Sequence, residues 1–268
     1  MEKAENPKKS RQEKYTTMII QLVSFPKYQR LTATECINRM DTISKILASS
    51  NADFIMFSEH VLKSEDDLYA LLKLRKYNKN ITALFELKES NGLSGNRLYL
   101  LQNGFIRELS HQLISTADEV NEEIVDALLK EFNRRRQFEV NGKRFLIVQC
   151  GENNILKGTT GCAEFRLKDT QPEQYNRLEK LLNDVDIVLN PVHTRWGRFV
   201  NFLTRIRKFS DNNRYCFSCT QMEGNQLQSA RENPTHNTTH IAMYNQELIT
   251  PVYTNEDENY LIQSYEIE

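Results

Sequence analysis

Two side chains in this sequence stand where chemistry would be placed, each at the end of an apolar run. Phe145-Leu-Ile-Val148 is bounded by Asn141-Gly142 before it and by Gly151 to Asn154 after it, which reads as a short buried strand that stops abruptly, with Cys150 at its carboxyl end. A side chain leaving the end of a central strand, beside a glycine that permits a sharp turn, points into the crevice where α/β folds bind ligands. A thiol there is placed as a nucleophile, active as its thiolate. The alternative is a small buried hydrophobe, the common role of cysteine outside disulfides. Asp53-Phe-Ile-Met-Phe57 ends in the same way, in Ser58-Glu59-His60. Burial raises the pKa of a carboxyl group, so Glu59 is a candidate general base or acid near neutrality; the alternative is a surface loop that opens on charge.

Periodicity indicates the elements that must position this pair. Met18 to Val23 reads as a first strand, and Thr32 with Glu35 forms a capping box for a helix that keeps Ile37, Met40, Ile43, Ile46 and Leu47 on one face. The Glu59 strand follows, giving strand, helix, strand, the unit of a parallel sheet. A helix over Glu65 to Tyr77 and a strand over Ile81 to Leu87 come next. Asn103-Gly104 between Leu98–Leu101 and Phe105–Ile106 then predicts a hairpin, which makes the sheet mixed. Thr116 with Glu119 predicts a second capped helix through Leu129, and Arg134-Arg-Arg136 at its end suits the helix dipole. Pro172 opens a helix, Val185 to Leu189 is a strand, and a helix from about Phe199 to Phe209 precedes a strand at Tyr215 to Thr220. Ile241 to Tyr244, Leu248 to Val252 and Tyr260 to Ile262 read as terminal β structure. Residues 155–171 fit no element. Residues 1–14, almost wholly charged or polar, read as a disordered tail, which leaves 15–268 as one domain.

Composition excludes several classes. With 35 basic and 36 acidic residues the net charge is −1, which gives no electrostatic case for nucleic acid or an anionic membrane. No run approaches the roughly 18 apolar residues of a membrane span. The first residues lack the apolar core of a signal peptide, so a cytoplasmic protein with five reduced thiols is expected. Cys216-Phe-Ser-Cys219 falls in a strand, where positions three apart face opposite sides, so it serves neither redox chemistry nor zinc. His236 and His240 flank Asn-Thr-Thr, an extended segment without the metalloprotease glutamate; no metal and no cofactor are expected. Arg195, Arg198, Arg205, Arg207 and Lys208, with Trp196 and Phe199 interleaved, have the chemistry to grip a phosphate or carboxylate; the alternative is a solvated face with subunit contacts.

Taken in order, these pieces resemble the nitrilase, or carbon–nitrogen hydrolase, superfamily from about Tyr15 to the end of the chain. Met18 to Gln21 resembles that family's first strand, and Ala52-Asp-Phe-Ile-Met-Phe-Ser-Glu59 its strand ending in the catalytic glutamate. Asn96-Arg-Leu-Tyr-Leu-Leu-Gln-Asn-Gly104 resembles the strand and turn before the catalytic lysine, and Gly142 to Glu152 the strand leading to the nucleophile. Asp186-Ile-Val-Leu-Asn-Pro191 and Asp211-Asn-Asn-Arg-Tyr215 resemble two later signatures.

The resemblance implies a four-layer α-β-β-α sandwich, with two mixed sheets face to face and helices outside. It also implies hydrolysis of a small amide or nitrile through a thioester, with Cys150 as nucleophile, Glu59 as base and the Gly151 N–H as oxyanion donor. The chain departs from the pattern at the lysine. Ser110 aligns there, followed by His111, and no lysine occurs between Lys88 and Lys130. Loss of one preorganised donor costs on the order of 100- to 1000-fold in turnover. Two expectations follow. In one, His111 replaces the lysine and converges with Cys150 and Glu59. In the other, the site is a silent module for a partner protein or small ligand. The second acid often present near the family's lysine is Glu119, Glu122 or Glu123. A homodimer or larger assembly, meeting through Trp196 to Phe209, is expected in either case.

Overall fold

The computed structural model describes residues 17–26, 33–73, 80–87, 97–159, 161–192, 199–222, 239–256 and 259–268. The tail 1–14, the cap at Thr32, Tyr77, Asn96, Arg195, Trp196, Arg198 and His236 lie outside the described residues.

Strand β1 (Met18–Ser24), helix α1 (Ala33–Ser49), β2 (Phe54–Phe57), α2 (Glu65–Lys73) and β3 (Thr82–Leu87) form two successive β-α-β units, with β1, β2 and β3 parallel. β4 (Arg97–Gln102) and β5 (Phe105–His111) are joined across Asn103 and Gly104, whose φ values of 53° and 79° are the left-handed pair that a tight hairpin requires. After α3 (Glu122–Arg134), the same device at Asn141 and Gly142 joins β6 (Gln137–Val140) to β7 (Lys143–Ile147). A 3₁₀ turn over Cys150–Ile155 leads into a hairpin of β8 (Leu156–Thr159) and β9 (Cys162–Phe165), so the stretch without a readable element holds a small ribbon. There follow α4 (Pro172–Asn183), β10 (Ile187–Val192), α5 (Phe199–Phe209), β11 (Tyr215–Thr220), β12 (His240–Tyr244), β13 (Glu247–Leu248), β14 (Tyr253–Glu256) and β15 (Leu261–Ile267).

The strands make one sheet of order β14-β15-β1-β2-β3-β4-β5 and another of order β13-β12-β11-β10-β7-β6. Both are mixed, and their faces pack together. Phe54, Met56, Phe145, Ile147, Leu189 and Phe217 meet between the sheets, with the Phe145 ring centroid 5.0 Å from Phe54 and 5.1 Å from Phe138. The alternate residues Ile55 and Phe57 turn outward against α1 and α2. Leu146, Val148 and Val188 turn outward against α3, α4 and α5. Strands covered on both faces read as unbroken apolar runs, which is why 54–57 and 145–148 stood out in sequence. The result is the four-layer sandwich that the resemblance implied.

One helix start differs from expectation. Thr116 and Glu119 cap only a single 3₁₀ turn, Ala117–Glu119; α3 begins three residues later, with the Asn121 side chain accepting from the Ile124 N–H at 3.0 Å. The nearer cap wins because Asn121 is extended, with φ −136°, and aligned for N3. Cys216 and Cys219 face opposite sides of β11, as strand geometry requires, and burial raises both thiol pKa values, that of Cys219 to about 12. His240 is buried across the sheet interface, between Ser24 Oγ at 2.8 Å and Gln263 Oε1 at 3.1 Å. Burial pushes its pKa down to about 3, so it is a neutral structural bridge. Among the described residues no group of three or more potential metal ligands is present, and no helix is long and apolar enough to cross a membrane.

Because Phe145 packs on rings from both sheets, Phe145→Ala should cost about 3 to 5 kcal/mol of unfolding free energy, measured by denaturant titration.

Candidate active site

Cys150 and Glu59 arrive from opposite sheets. Glu59 follows β2 and Cys150 follows β7, and Glu59 Oε1 accepts the Cys150 backbone N–H at 3.3 Å. Glu59 is fully buried, whereas Cys150 is half-buried. The Glu59 carbonyl accepts from Gln221 Nε2 at 2.7 Å, which pins the end of β2 to the chain beyond β11. The next residue, His60, takes φ 54° and turns the chain away from the crevice.

The turn that carries Cys150 is built around Glu152. Its buried carboxylate accepts Arg136 Nη1 and Nη2, each at 3.0 Å, the Leu113 N–H at 3.1 Å and the Gln149 N–H at 2.9 Å. Arg136 is fully buried and also donates to the His111 carbonyl at 2.7 Å. The basic triplet read as a helix cap thus places its last member in the core; only Arg134 sits in the final turn of α3. Asn190 of β10 lies under the same turn, donating to the Val148 carbonyl at 2.6 Å and accepting from Asn153 Nδ2 at 3.1 Å.

Sequence reasoning missed Glu86. It belongs to β3, the neighbour of β2, and its carboxyl lies fully buried against that of Glu59. Among the described residues no well-aligned donor meets either of its oxygens; the His60 Nε2 is 4.0 Å away. Burial first, and then the charge and contact of Glu59, hold the Glu86 carboxyl well above the usual carboxylate range, with Arg136 and Gln149 opposing in part. Burial also raises Glu59, against which the contact from Glu86 and the Cys150 amide work. Two carboxyl groups this close in a buried site do not both ionise, so the pair holds a proton between them. The sequence signal was a lone charge inside the apolar run Ile81 to Leu87.

The structure does not bring His111 to this pair. Leu109 and Ser110 both face inward at the bulge where β5 slips against Leu98 and Tyr99, and His111 then faces solvent. Ser110, expected at the lysine position, is buried with its hydroxyl on the His111 carbonyl at 3.3 Å. Gln112 occupies the crevice instead. Its Oε1 accepts the Gly151 N–H at a long 3.5 Å. A side chain at position 151 would overlap the Ile114 carbonyl and the Gln112 amide, so only glycine fits there. The three candidate second acids are engaged elsewhere or exposed. Glu119 accepts from the Ser115 and Thr116 amides, Glu122 from Gln171 and Gln174, and Glu123 faces solvent.

No protein-family model matches the sequence, and comparison with curated protein sequences gives no match. Solved structures do match. A glutamine-dependent NAD(+) synthetase from Cytophaga hutchinsonii aligns with 94% of this chain at TM-score 0.56 and 11% identity; this chain spans 43% of its length. A CN-hydrolase superfamily protein from Xanthomonas campestris aligns at TM-score 0.55 and 15% identity over 94% of this chain and 91% of that one. An amidase from Nesterenkonia sp. aligns at TM-score 0.51 and 11% identity over 92% and 90%. The fold is therefore that of the carbon–nitrogen hydrolases, and identities this low speak to fold alone.

If Glu86 donates to Glu59, Glu86→Leu should move the acid limb of Cys150 alkylation by iodoacetamide upward by about one pH unit, because a carboxylate losing a donor becomes a weaker acid. Glu86→Gln, which keeps a neutral donor, should stay near the parent profile. An unchanged profile in Glu86→Leu removes Glu86 from the site.

Proposed function

We propose that this chain hydrolyses the C–N bond of a small amide through a cysteine thioester, with Cys150 as nucleophile and Glu59 as base. The observation that carries the reading is the meeting of the Glu59 carboxylate with the Cys150 backbone at facing strand ends, in a crevice where Glu59 is dry and Cys150 half-open. Glu59 takes the thiol proton as Sγ bonds to the amide carbon. The C–N bond then breaks as Glu59 returns that proton to the leaving amine, and water, deprotonated by Glu59, releases the acid and restores the thiol. Glu86, as the protonated partner, keeps Glu59 in its accepting form. The Gly151 N–H faces the oxyanion once the substrate carbonyl displaces the Gln112 oxygen, whose 3.5 Å contact is too long to be strong. The similarity in fold to an amidase from Nesterenkonia sp. supports the reaction class.

A second reading is a nitrilase-fold module that binds a ligand or partner without turnover. It is favoured by one observation: a carboxamide of the chain itself lies on the Gly151 donor, while the position of the family's lysine holds a buried serine.

One experiment separates the two. Hydrolysis predicts release of ammonia from some member of a small-amide panel, abolished in Cys150→Ala, and labelling of Cys150 ahead of Cys162, Cys216 and Cys219 by a thiol electrophile. Glu59→Gln should slow that labelling by about 100-fold or more. Absence of ammonia across the panel, with Cys150 labelled no faster than the exposed Cys162, leaves the binding module.

A further inference from the structure

A carboxyl group and a carboxamide of the chain meet the Cys150 turn on consecutive N–H groups. Glu59 Oε1 accepts from Cys150 at 3.3 Å, and Gln112 Oε1 accepts from Gly151 at 3.5 Å. The Gly151 N–H is the donor that an oxyanion formed at Cys150 uses in the reaction proposed above, so the Gln112 oxygen lies where the oxygen of a scissile amide belongs. Close packing holds the carboxamide there. A Cβ built on Gly151 would come within 2.5 Å of Gln112 Nε2 and 2.1 Å of the Ile114 carbonyl oxygen. The Nε2 end is turned to Ser115 Oγ, at 3.2 Å, and Ser115 is exposed, so the amide nitrogen faces the way out to solvent. A group tethered beside a nucleophile in productive geometry acts at an effective concentration on the order of 10⁵ M or more, far above that of any dissolved amide.

From this arrangement we infer that Cys150 acts on Gln112 of its own chain, expelling ammonia and leaving an internal thioester between the two side chains. Glu59 takes the thiol proton as Sγ bonds to Cδ of Gln112. The Gly151 N–H stabilises the oxyanion, the Cδ–Nε2 bond breaks, and Glu59 returns the proton to the departing nitrogen. One thiol and one carboxamide give one thioester and one ammonia, with no change of oxidation state and no co-reactant. Water then opens the thioester, which frees Cys150 and leaves a glutamate in place of Gln112. This step rests on the reading of Cys150 and Glu59 given above, but its substrate is internal and its yield is limited to one ammonia per chain.

The test is the mass of the full chain, freshly purified and after incubation at neutral pH without added amide, with its peptides mapped by tandem mass spectrometry. The expected product is a chain lighter by one ammonia, in which hydroxylamine frees the Cys150 thiol and leaves a hydroxamate in place of the Gln112 amide; slow hydrolysis should leave the glutamate instead. Cys150→Ala should abolish both products, and Glu59→Gln should slow their appearance by about 100-fold. Gln112→Asn, which keeps the carboxamide on a shorter stem, should also abolish them while its thermal unfolding midpoint stays near that of the parent. The same change at Gln112 in Cys150→Ala assigns it to spontaneous deamidation and overturns the self-acylation. An unchanged mass in a chain that releases ammonia from the small-amide panel also overturns it and leaves the hydrolysis. Loss of one ammonia per chain without turnover on the panel keeps the self-acylation and removes the small-amide substrate. An unchanged mass with no turnover removes both.

Discussion

The bidentate pair between Arg136 and Glu152 is the interaction on which the crevice depends. Both groups are fully buried, and a charge taken out of water is tolerated only when its remaining hydrogen bonds are met. Here all but one are, by the amides of Leu113 and Gln149 and by the His111 carbonyl, with the Arg136 Nε left without a partner among the described residues. Those partners belong to the chain leaving β5, the turn after β7 and the end of α3, so one ion pair fixes the mutual position of the two sheets at the point where Cys150 emerges. Removing either partner would leave the other uncompensated, a change that costs about 3 to 5 kcal/mol in comparable settings, while the thiol and Glu59 would lose their register.

Closure of the sheets then determines the electrostatics. The apolar layer between them leaves Glu59 and Glu86 without water, and desolvation is the first cause of the upward shift of each. Proximity divides the two roles, since a shared proton makes one carboxyl a donor and the other an acceptor. On the far side of Cys150 the sign reverses, with two guanidinium groups against a neutral asparagine. A half-open thiol thus lies between a protonatable acid pair and two guanidinium groups.

Much of the framework was legible because it follows from local rules. Runs such as Phe54 to Phe57 and Phe145 to Val148 are apolar at every position because both faces are covered, and Asn103-Gly104 and Asn141-Gly142 make hairpins because left-handed φ is tolerated there. Cys150 and Glu59 were visible as polar residues terminating such runs. The rest of the site depends on contacts that no local rule contains. Arg136 has the sequence context of a helix cap and becomes a core residue only because Glu152 folds back beneath it. His111 and Ser110 are adjacent, and which of them faces inward is decided by a single bulge against Leu98. Glu86 gave a signal, charge within a buried strand, but its meaning required knowing that β2 and β3 are neighbours.

Gln112 finally bears on how the crevice is filled. Gly151 is packed so closely by the 112–115 segment that no side chain is possible there, so its N–H is an obligatory feature of the turn and must find an acceptor. Gln112 supplies one, but at 3.5 Å, and its own Nε2 is already held by Ser115 Oγ at 3.2 Å. A carboxamide held on one side and loosely accepting on the other is the kind of contact that an incoming amide can replace with a shorter one, since the exchange trades one acceptor for another of the same type. The N–H is therefore satisfied by a contact long enough to be exchanged. An apolar side chain at 112 would leave the donor unsatisfied, and a lysine there would place a cation beside an N–H that needs an acceptor. Glutamine meets both constraints.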